Sequence, residues 1–224
     1  ISMGARIEGL GSKVIKIEGV PGLRTTDYSV IPDRIETGTF LIGGLITGGD
    51  ITLKNVQPEH VMKILEKIRD AGAEVEISER EIHLKGKKKI IPVNVTTDVY
   101  PGFPTDMQAQ WIALMSVADG SSVVTDSIFQ DRFTHVPELN RLGARIVQKN
   151  NSAFITGVKE LKGAPVMSTD LRASASLVLA ALCAKGKSDV LRVYHIDRGY
   201  ESIELKLQQL GADIRREDSG ELTS

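Results

Sequence analysis

Three short motifs could each place a carboxylate at the start of a helix: Thr105-Asp106, Thr169-Asp170 and Pro32-Asp33-Arg34. Each stands before a run of apolar and small residues. A carboxylate there satisfies free backbone N–H groups and opposes the helix dipole, so capping alone would explain it. Held at a loop–helix junction, the same group can also act as a general base or acid. Two further segments mix aromatic residues with an Asp and an Arg: Ile128-Phe129-Gln130-Asp131-Arg132-Phe133 and Tyr194-His195-Ile196-Asp197-Arg198-Gly199-Tyr200. A surface Asp–Arg pair contributes little to stability, whereas a guanidinium is well shaped to clamp a carboxylate or phosphate. The corresponding place earlier in the chain is Asn55-Val56-Gln57-Pro58, which carries no charge. The charge is therefore not a requirement of the fold, and this favours a binding role for Arg132 and Arg198.

The remaining reactive side chains point to less. His135 and His195 have no partner at metal-ligand spacing, and structural histidines explain them. The single cysteine, Cys183, lies among Leu179, Leu182 and Ala184, as a buried, inert thiol would. One cysteine excludes an internal disulfide framework and fits a reducing compartment. No phosphate-binding glycine loop is present, and no metal or cofactor is expected. The net charge of −1 gives no general attraction to nucleic acid or anionic lipid. The basic run Lys85, Lys87, Lys88, Lys89 reads as a solvated loop. The longest near-apolar stretch, Ala173 to Ala184, is too short to span a bilayer. No signal peptide is visible at the start, so a cytoplasmic protein is expected, without nucleic-acid or membrane partners.

The elements that must hold these residues follow from self-similarity. Gly-Ala-x-(Ile/Val) occurs at Gly4, Gly72, Gly143 and Gly211. Glycine suits a helix C-terminus because it accepts the left-handed conformation without a Cβ penalty, and the β-branched residue opens a strand. Before these glycines run amphipathic patterns: Val61, Ile64, Leu65, Ile68; Val136, Leu139, Leu142; Tyr200, Ile203, Leu207, Leu210. After them come strand–turn–strand patterns: Arg6 to Gly9 with Val14 to Ile17, Glu74 to Ser78 with Ile82 to Leu84, and Arg145 to Gln148 with Ala153 to Thr156. Three helices apolar on nearly every side, Asp33 to Thr47, Thr105 to Ala118 and Thr169 to Ala184, must be buried. Strands are expected before them at Tyr28–Ile31, Val93–Thr96 and Pro165–Met167, and after them at Ile51–Leu53, Ser122–Thr125 and Asp189–Val193.

The fold class is therefore α+β, with a βαβαββ unit read at about 27–86, 92–158 and 164–224. The third copy has a strand after Gly211 but lacks its closing strand, because residues 218–224 are too polar. The surplus hairpin at residues 5–19 suggests that Val14–Ile17 fills that open position. The start of the chain has no initiator methionine, and Met3-Gly4-Ala5 reads as the end of a helix. A fragment or internal domain is the expectation.

Five stretches carry a resemblance to a known family: Ile31 to Phe40, Phe103-Pro104-Thr105-Asp106-Met107-Gln108-Ala109-Gln110, Arg132 to Leu139, Thr169 to Ala175, and Tyr194 to Glu201. Together they resemble the UDP-N-acetylglucosamine 1-carboxyvinyltransferases, enolpyruvyl transferases that open peptidoglycan synthesis. The resemblance covers the whole chain and corresponds to the C-terminal half of the family's enzymes. It implies an inside-out α/β barrel domain, with buried helices inside and sheets outside. Residues 1–22 would be the tail hairpin of the other domain, and 23–224 the catalytic domain.

The resemblance also implies roles. Asp106 would contact the sugar 3-hydroxyl as general base, Asp170 would lie beside the reacting carbons, and Arg198 would contact the phosphoenolpyruvate end. Arg132 and Arg172 would line the same cleft, and Ile128, through its backbone, and Phe129 would touch the nucleotide sugar. The substrates would be UDP-N-acetylglucosamine and phosphoenolpyruvate, and the partner would be the missing N-terminal half. The family's reactive cysteine and an essential lysine lie in that half, so this polypeptide alone is expected to show no turnover. Two competing readings are a non-catalytic module on the same repeat and the shikimate-pathway sibling. Retention of Asp106, Asp170 and Arg198 argues against the first, and the poor match of the sibling to these motifs argues against the second.

Overall fold

A computed structural model describes residues 1–217, and the chain divides into two compact units, Ile1–Ile31 and Pro32–Ser224. In the first, β1 (Arg6–Glu8) and β2 (Lys16–Glu18) form an antiparallel hairpin with Ile7 opposite Ile17. Among the described residues β2 pairs with β1 alone, and Val14 and Ile15 are in no strand. Of the expected strand Val14–Ile17, only Lys16 and Ile17 belong to one.

The second unit begins with helix α1 (Arg34–Thr47), then β3 (Asp50–Lys54), α2 (Met62–Asp70), β4 (Glu74–Ile77) and β5 (Glu81–Lys85). These strands form one antiparallel sheet in the order β3-β5-β4. Next come β6 (Val95–Thr96), α3 (Gln108–Met115), β7 (Ser121–Thr125), α4 (Val136–Arg141), β8 (Arg145–Lys149) and β9 (Ser152–Thr156). They form the sheet β6-β7-β9-β8, in which β6 and β7 are parallel. Parallel neighbours need a crossover, and α3 supplies it. The same logic joins β10 (Pro165–Met167) to the parallel β11 (Asp189–Leu191) through α5 (Leu171–Cys183). The last helix among the described residues is α6 (Ile203–Gln209).

Helices α1, α3 and α5 pack against one another and carry the core. Every residue of α3 is buried, as an all-round apolar helix requires. Small residues set the spacing. A Cβ on Gly38 would stand 2.9 Å from the end of the Met107 side chain, so the missing side chain leaves room for Met107 between α1 and the start of α3. Trp111 anchors the middle, fully buried, edge-on to Phe103 at 5.5 Å, with Nε1 donating to the Val93 carbonyl at 3.2 Å.

Two expected strands are absent among the described residues. Tyr28–Ile31 has strand-like composition but no ladder partner, and Tyr28, Val30 and Ile31 are exposed. Strand propensity records a fit to a paired, half-buried surface, and without pairing it yields no strand. After Gly211, residues 212–217 are also irregular. They are tied back instead to α6, where the Ala212 N–H donates to the Leu207 carbonyl at 3.0 Å. The proposed closing-strand region, 218–224, lies outside the described residues. The segment Val193–Arg198 is a short 3-10 helix, and the strand expected at Asp189–Val193 ends at Leu191.

Candidate active site

The three look-alike aspartates separate cleanly. Asp33 caps α1, accepting from the Ile35 and Glu36 N–H groups at 2.7 and 3.2 Å. Asp170 caps α5, where Oδ1 accepts from the Arg172 and Ala173 N–H groups at 2.8 and 2.9 Å. Asp106 caps nothing. It lies inside a 3-10 turn, Thr105–Met107, whose N-cap position is taken by Pro104. Its carboxylate is left free for other partners, and it takes two arginines.

Arg132 Nη1 donates to Asp106 Oδ1 at 2.6 Å, and Arg172 Nη2 donates to Oδ2 at 2.8 Å. The arginines come from different elements. Arg172 is in the first turn of α5, and Arg132 is in the loop after β7. Burial pushes the Asp106 carboxyl upward, but the Arg172 and then the Arg132 guanidinium outweigh it and hold the group below its usual value. Arg172 is itself half-buried, and Asp106 keeps its charge firmly in place against that burial.

Asp170 has a second face. Its Oδ2 accepts from the Thr134 hydroxyl at 3.1 Å. Burial raises this carboxyl too, but the Ala173 and Arg172 N–H groups and the Thr134 hydroxyl bring it below the ordinary value. His135, within reach of the Asp170 and Arg132 charges, is fully buried and stacked on Phe133 with ring centroids 6.3 Å apart. Burial lowers its pKa to about 4, with the Asp170 charge opposing and the Arg132 charge adding. The ring is neutral at pH 7, and its Nε2 has no hydrogen-bond partner.

Arg132 also lies over the Phe129 ring, 5.4 Å from the centroid. Phe129 and Ile128 are exposed at 60% and 42%, so both are available to a ligand. Arg198 is exposed and makes no hydrogen bond or ion pair among the described residues. It is not drawn into the Asp106 cluster. Neither Asp–Arg motif forms a local pair: Asp197 is held by Arg216 at 2.6 and 3.0 Å, and Arg132 turns to Asp106. Cys183 is mostly buried, and burial pushes its thiol up to about 11, which suits an unreactive group. Among the described residues no cluster of three or more His, Cys, Asp or Glu side chains is arranged for a metal ion.

Sequence reasoning missed two buried polar groups. Asp126, at the end of β7, is fully buried and accepts four hydrogen bonds. An Asp just past a strand, followed by Ser127, is a turn signal that could have exposed it. The second is the Tyr200 hydroxyl, 2.8 Å from Thr39 Oγ1, with the Gln110 amide donating to both at 3.4 and 3.1 Å. This network ties α1, α3 and the segment before α6 together. Its members are far apart in sequence and give no local signal.

Comparison with known proteins bears on this geometry. The family model described as EPSP synthase (3-phosphoshikimate 1-carboxyvinyltransferase) matches residues 1–219. A UDP-N-acetylglucosamine 1-carboxyvinyltransferase of Myxococcus xanthus is 56% identical over 96% of this chain and 51% of its own length. One from Chloroherpeton thalassium is 57% identical over 96% of this chain and 50% of its own. The chain thus spans about half the length of the curated relatives it matches. Among solved structures, the enolpyruvyl transferase NikO from Streptomyces tendae superposes with a TM-score of 0.84 at 28% identity, over 96% of this chain and 52% of that one. EPSP synthase from Acinetobacter baumannii shares the fold, with a TM-score of 0.65 at 18% identity over 85% of this chain and 44% of that one.

Proposed function

This chain belongs to the EPSP synthase (3-phosphoshikimate 1-carboxyvinyltransferase) family, and from that premise we propose that it carries part of the active site of a UDP-N-acetylglucosamine 1-carboxyvinyltransferase. The enzyme would move the enolpyruvyl group of phosphoenolpyruvate to the sugar 3-hydroxyl, as the first committed step of peptidoglycan synthesis. The names of relatives at 53–57% identity favour this substrate over shikimate 3-phosphate. Three βαβαββ copies, about 27–86, 92–158 and 164–224, would form a domain with helices inside and sheets outside. Residues 1–22 would belong with a second domain.

The observation that carries the reading is Asp106 held between Arg132 and Arg172. In the reaction the sugar O3 bonds to C2 of phosphoenolpyruvate while its proton passes to a base. A proton adds to C3, and loss of that proton expels inorganic phosphate. Asp106 is the base in this scheme, and Arg132 and Arg172 stabilise the anionic groups. Asp170 stands at the mouth of α5 for the reacting carbons, and Arg198 awaits the phosphoenolpyruvate end. Ile128, through its backbone, and Phe129 receive the nucleotide sugar.

A carboxylate gripped by two guanidiniums is a weak base. When an anionic substrate draws Arg132 or Arg172 away, Asp106 regains basicity. Base strength then rises only when the reaction can proceed. Turnover also needs groups from outside this chain, so the 224-residue polypeptide alone is expected to be inactive.

Calorimetric titration of the protein expressed from its full reading frame tests the reading. UDP-N-acetylglucosamine should bind and shikimate 3-phosphate should not, and Asp106→Asn should abolish turnover while leaving sugar-nucleotide binding measurable. Preference for shikimate 3-phosphate would assign the sibling reaction. Binding without turnover in the unmutated protein would favour a non-catalytic module.

A further inference from the structure

Asp126 lies one layer behind the groups assigned to chemistry and is bonded to the backbone of Ile128 and Phe129, the pair assigned to the nucleotide sugar. It is fully buried at the C-terminal end of β7. Its Oδ1 accepts from the Thr97 hydroxyl at 2.8 Å and from the Ile128 and Phe129 N–H groups at 3.0 and 2.8 Å. Its Oδ2 accepts from the Thr105 hydroxyl at 2.6 Å. Thr105 Oγ1 in turn accepts from Arg132 Nη1 at 3.3 Å, and that same nitrogen donates to Asp106 at 2.6 Å.

The order of donors decides what this arrangement does. A hydroxyl has one proton and can point it in only one direction. A carboxylate only accepts, so Asp126 takes the Thr105 proton and leaves the Thr105 lone pairs facing Arg132. An uncharged amide in its place would present N–H to Thr105 and turn the Thr105 proton toward the guanidinium, where donor would meet donor. The other oxygen pins the turn that carries Ile128 and Phe129.

We propose that Asp126 is a positioning residue for the transfer reaction: it fixes the direction of the Thr105 hydroxyl, so that Thr105 steadies Arg132 against Asp106, and it presents the 128–129 turn to the sugar nucleotide. The inference rests on the function proposed above. Buried polar groups whose bonds are all made rigidify a site, and removing one partner leaves the others unpaired.

The test uses Asp126→Asn, Thr105→Val and Thr105→Ser in the protein expressed from its full reading frame. Selective 13C labelling at aspartate Cγ, with Asp106→Asn to assign the signal, follows the Asp106 carboxyl during a pH titration without substrate. Both Thr105→Val and Asp126→Asn should move the Asp106 titration to higher pH, because Arg132 no longer stays against it, and Asp126→Asn should move it less far, because it also removes a like charge. Thr105→Ser should restore the original titration. Kinetically, both loss variants should lower kcat/KM roughly tenfold, the worth of one hydrogen bond to a charged group. The KM for the sugar nucleotide should rise only slightly in Asp126→Asn, whose amide oxygen still accepts from the Ile128 and Phe129 N–H groups but more weakly than a carboxylate, and not at all in Thr105→Val. If Asp126→Asn does not fold, the Val and Ser pair at Thr105 decides. Folded loss variants with an unmoved Asp106 titration would overturn the positioning role. If the unmutated protein does not use UDP-N-acetylglucosamine, the substrate reading fails, and the Asp106 titration still decides the role of Asp126.

Discussion

His135 gives the most quantitative expectation, because its environment has one strong cause. The ring is fully buried, stacked on Phe133, with no partner for Nε2, and its pKa falls from 6.5 to about 4. Unfolded, the same imidazole titrates near its ordinary value. Between those values the unfolded chain binds the proton and the folded chain does not, so stability drops as pH falls. From neutral pH to about pH 4.5, the linkage relation gives a loss of about 2.5 kcal/mol from this residue alone. The depressed carboxyls of Asp106, Asp170, Asp119 and Asp197 act in a different window. Their stabilisation is present above their unfolded value of 3.8 and is lost only as pH falls below it toward the folded values. His83, whose pKa is raised by Asp50, has the opposite sign and cancels when two variants are compared. The assay is urea unfolding at both pH values for the unmutated chain and for His135→Leu. Trp111, the single tryptophan and fully buried, reports the transition. The unmutated chain should lose about 2.5 kcal/mol more than His135→Leu on acidification. Equal losses would show that His135 is protonated in the folded state, and the reasoning from its burial would be wrong.

Asp170→Ala should cost about 1 kcal/mol of stability at neutral pH through the lost helix cap. That deficit should shrink below the unfolded carboxyl value of 3.8, where the native carboxylate protonates as well; a deficit independent of pH would contradict the capping account. Gly157→Ala should destabilise by about 1–3 kcal/mol, because a Cβ there would stand 1.8 Å from the Ala118 carbonyl oxygen. Unchanged urea midpoints for that variant would mean that β9 does not pass so close to the end of α3.

What was legible in the sequence was whatever local chemistry dictates. The Gly-Ala pattern marked helix ends at Gly72, Gly143 and Gly211, where a left-handed residue is needed and φ lies between +91° and +102°, whereas Gly4, with φ of +97°, follows a turn and no helix. The buried helices were legible because few residues on any face were polar. Tyr28–Ile31 failed because pairing is not a property of the segment that pairs. The aspartates looked alike because each precedes an apolar run, although one cue was present. Pro104 before Thr105 moves the cap upstream and leaves Asp106 inside the turn. Asp33 and Asp170 keep their caps. Asp126 escaped notice because a buried carboxylate is recognisable only from its donors, and Thr97, Thr105 and the 128–129 amides meet only after β6 and β7 pair.

The Asp106 cluster is also a gauge of how the buried helices pack. Asp106 stands just before α3, Arg172 belongs to α5, and Arg132 follows β7, so no two of the three charges share an element. Hydrogen bonds of 2.6 and 2.8 Å survive only if α3 and α5 keep their spacing. A charge-assisted bond weakens steeply once donor and acceptor drift beyond about 3.5 Å. The Thr39–Tyr200–Gln110 network fastens α1, α3 and the segment before α6, and Tyr200 shares a buried cluster with Ala175 and Val178 of α5, so it bears on that spacing from within the core. A change that merely loosens this network should lengthen the Asp106 contacts without altering Asp106, Arg132 or Arg172 themselves.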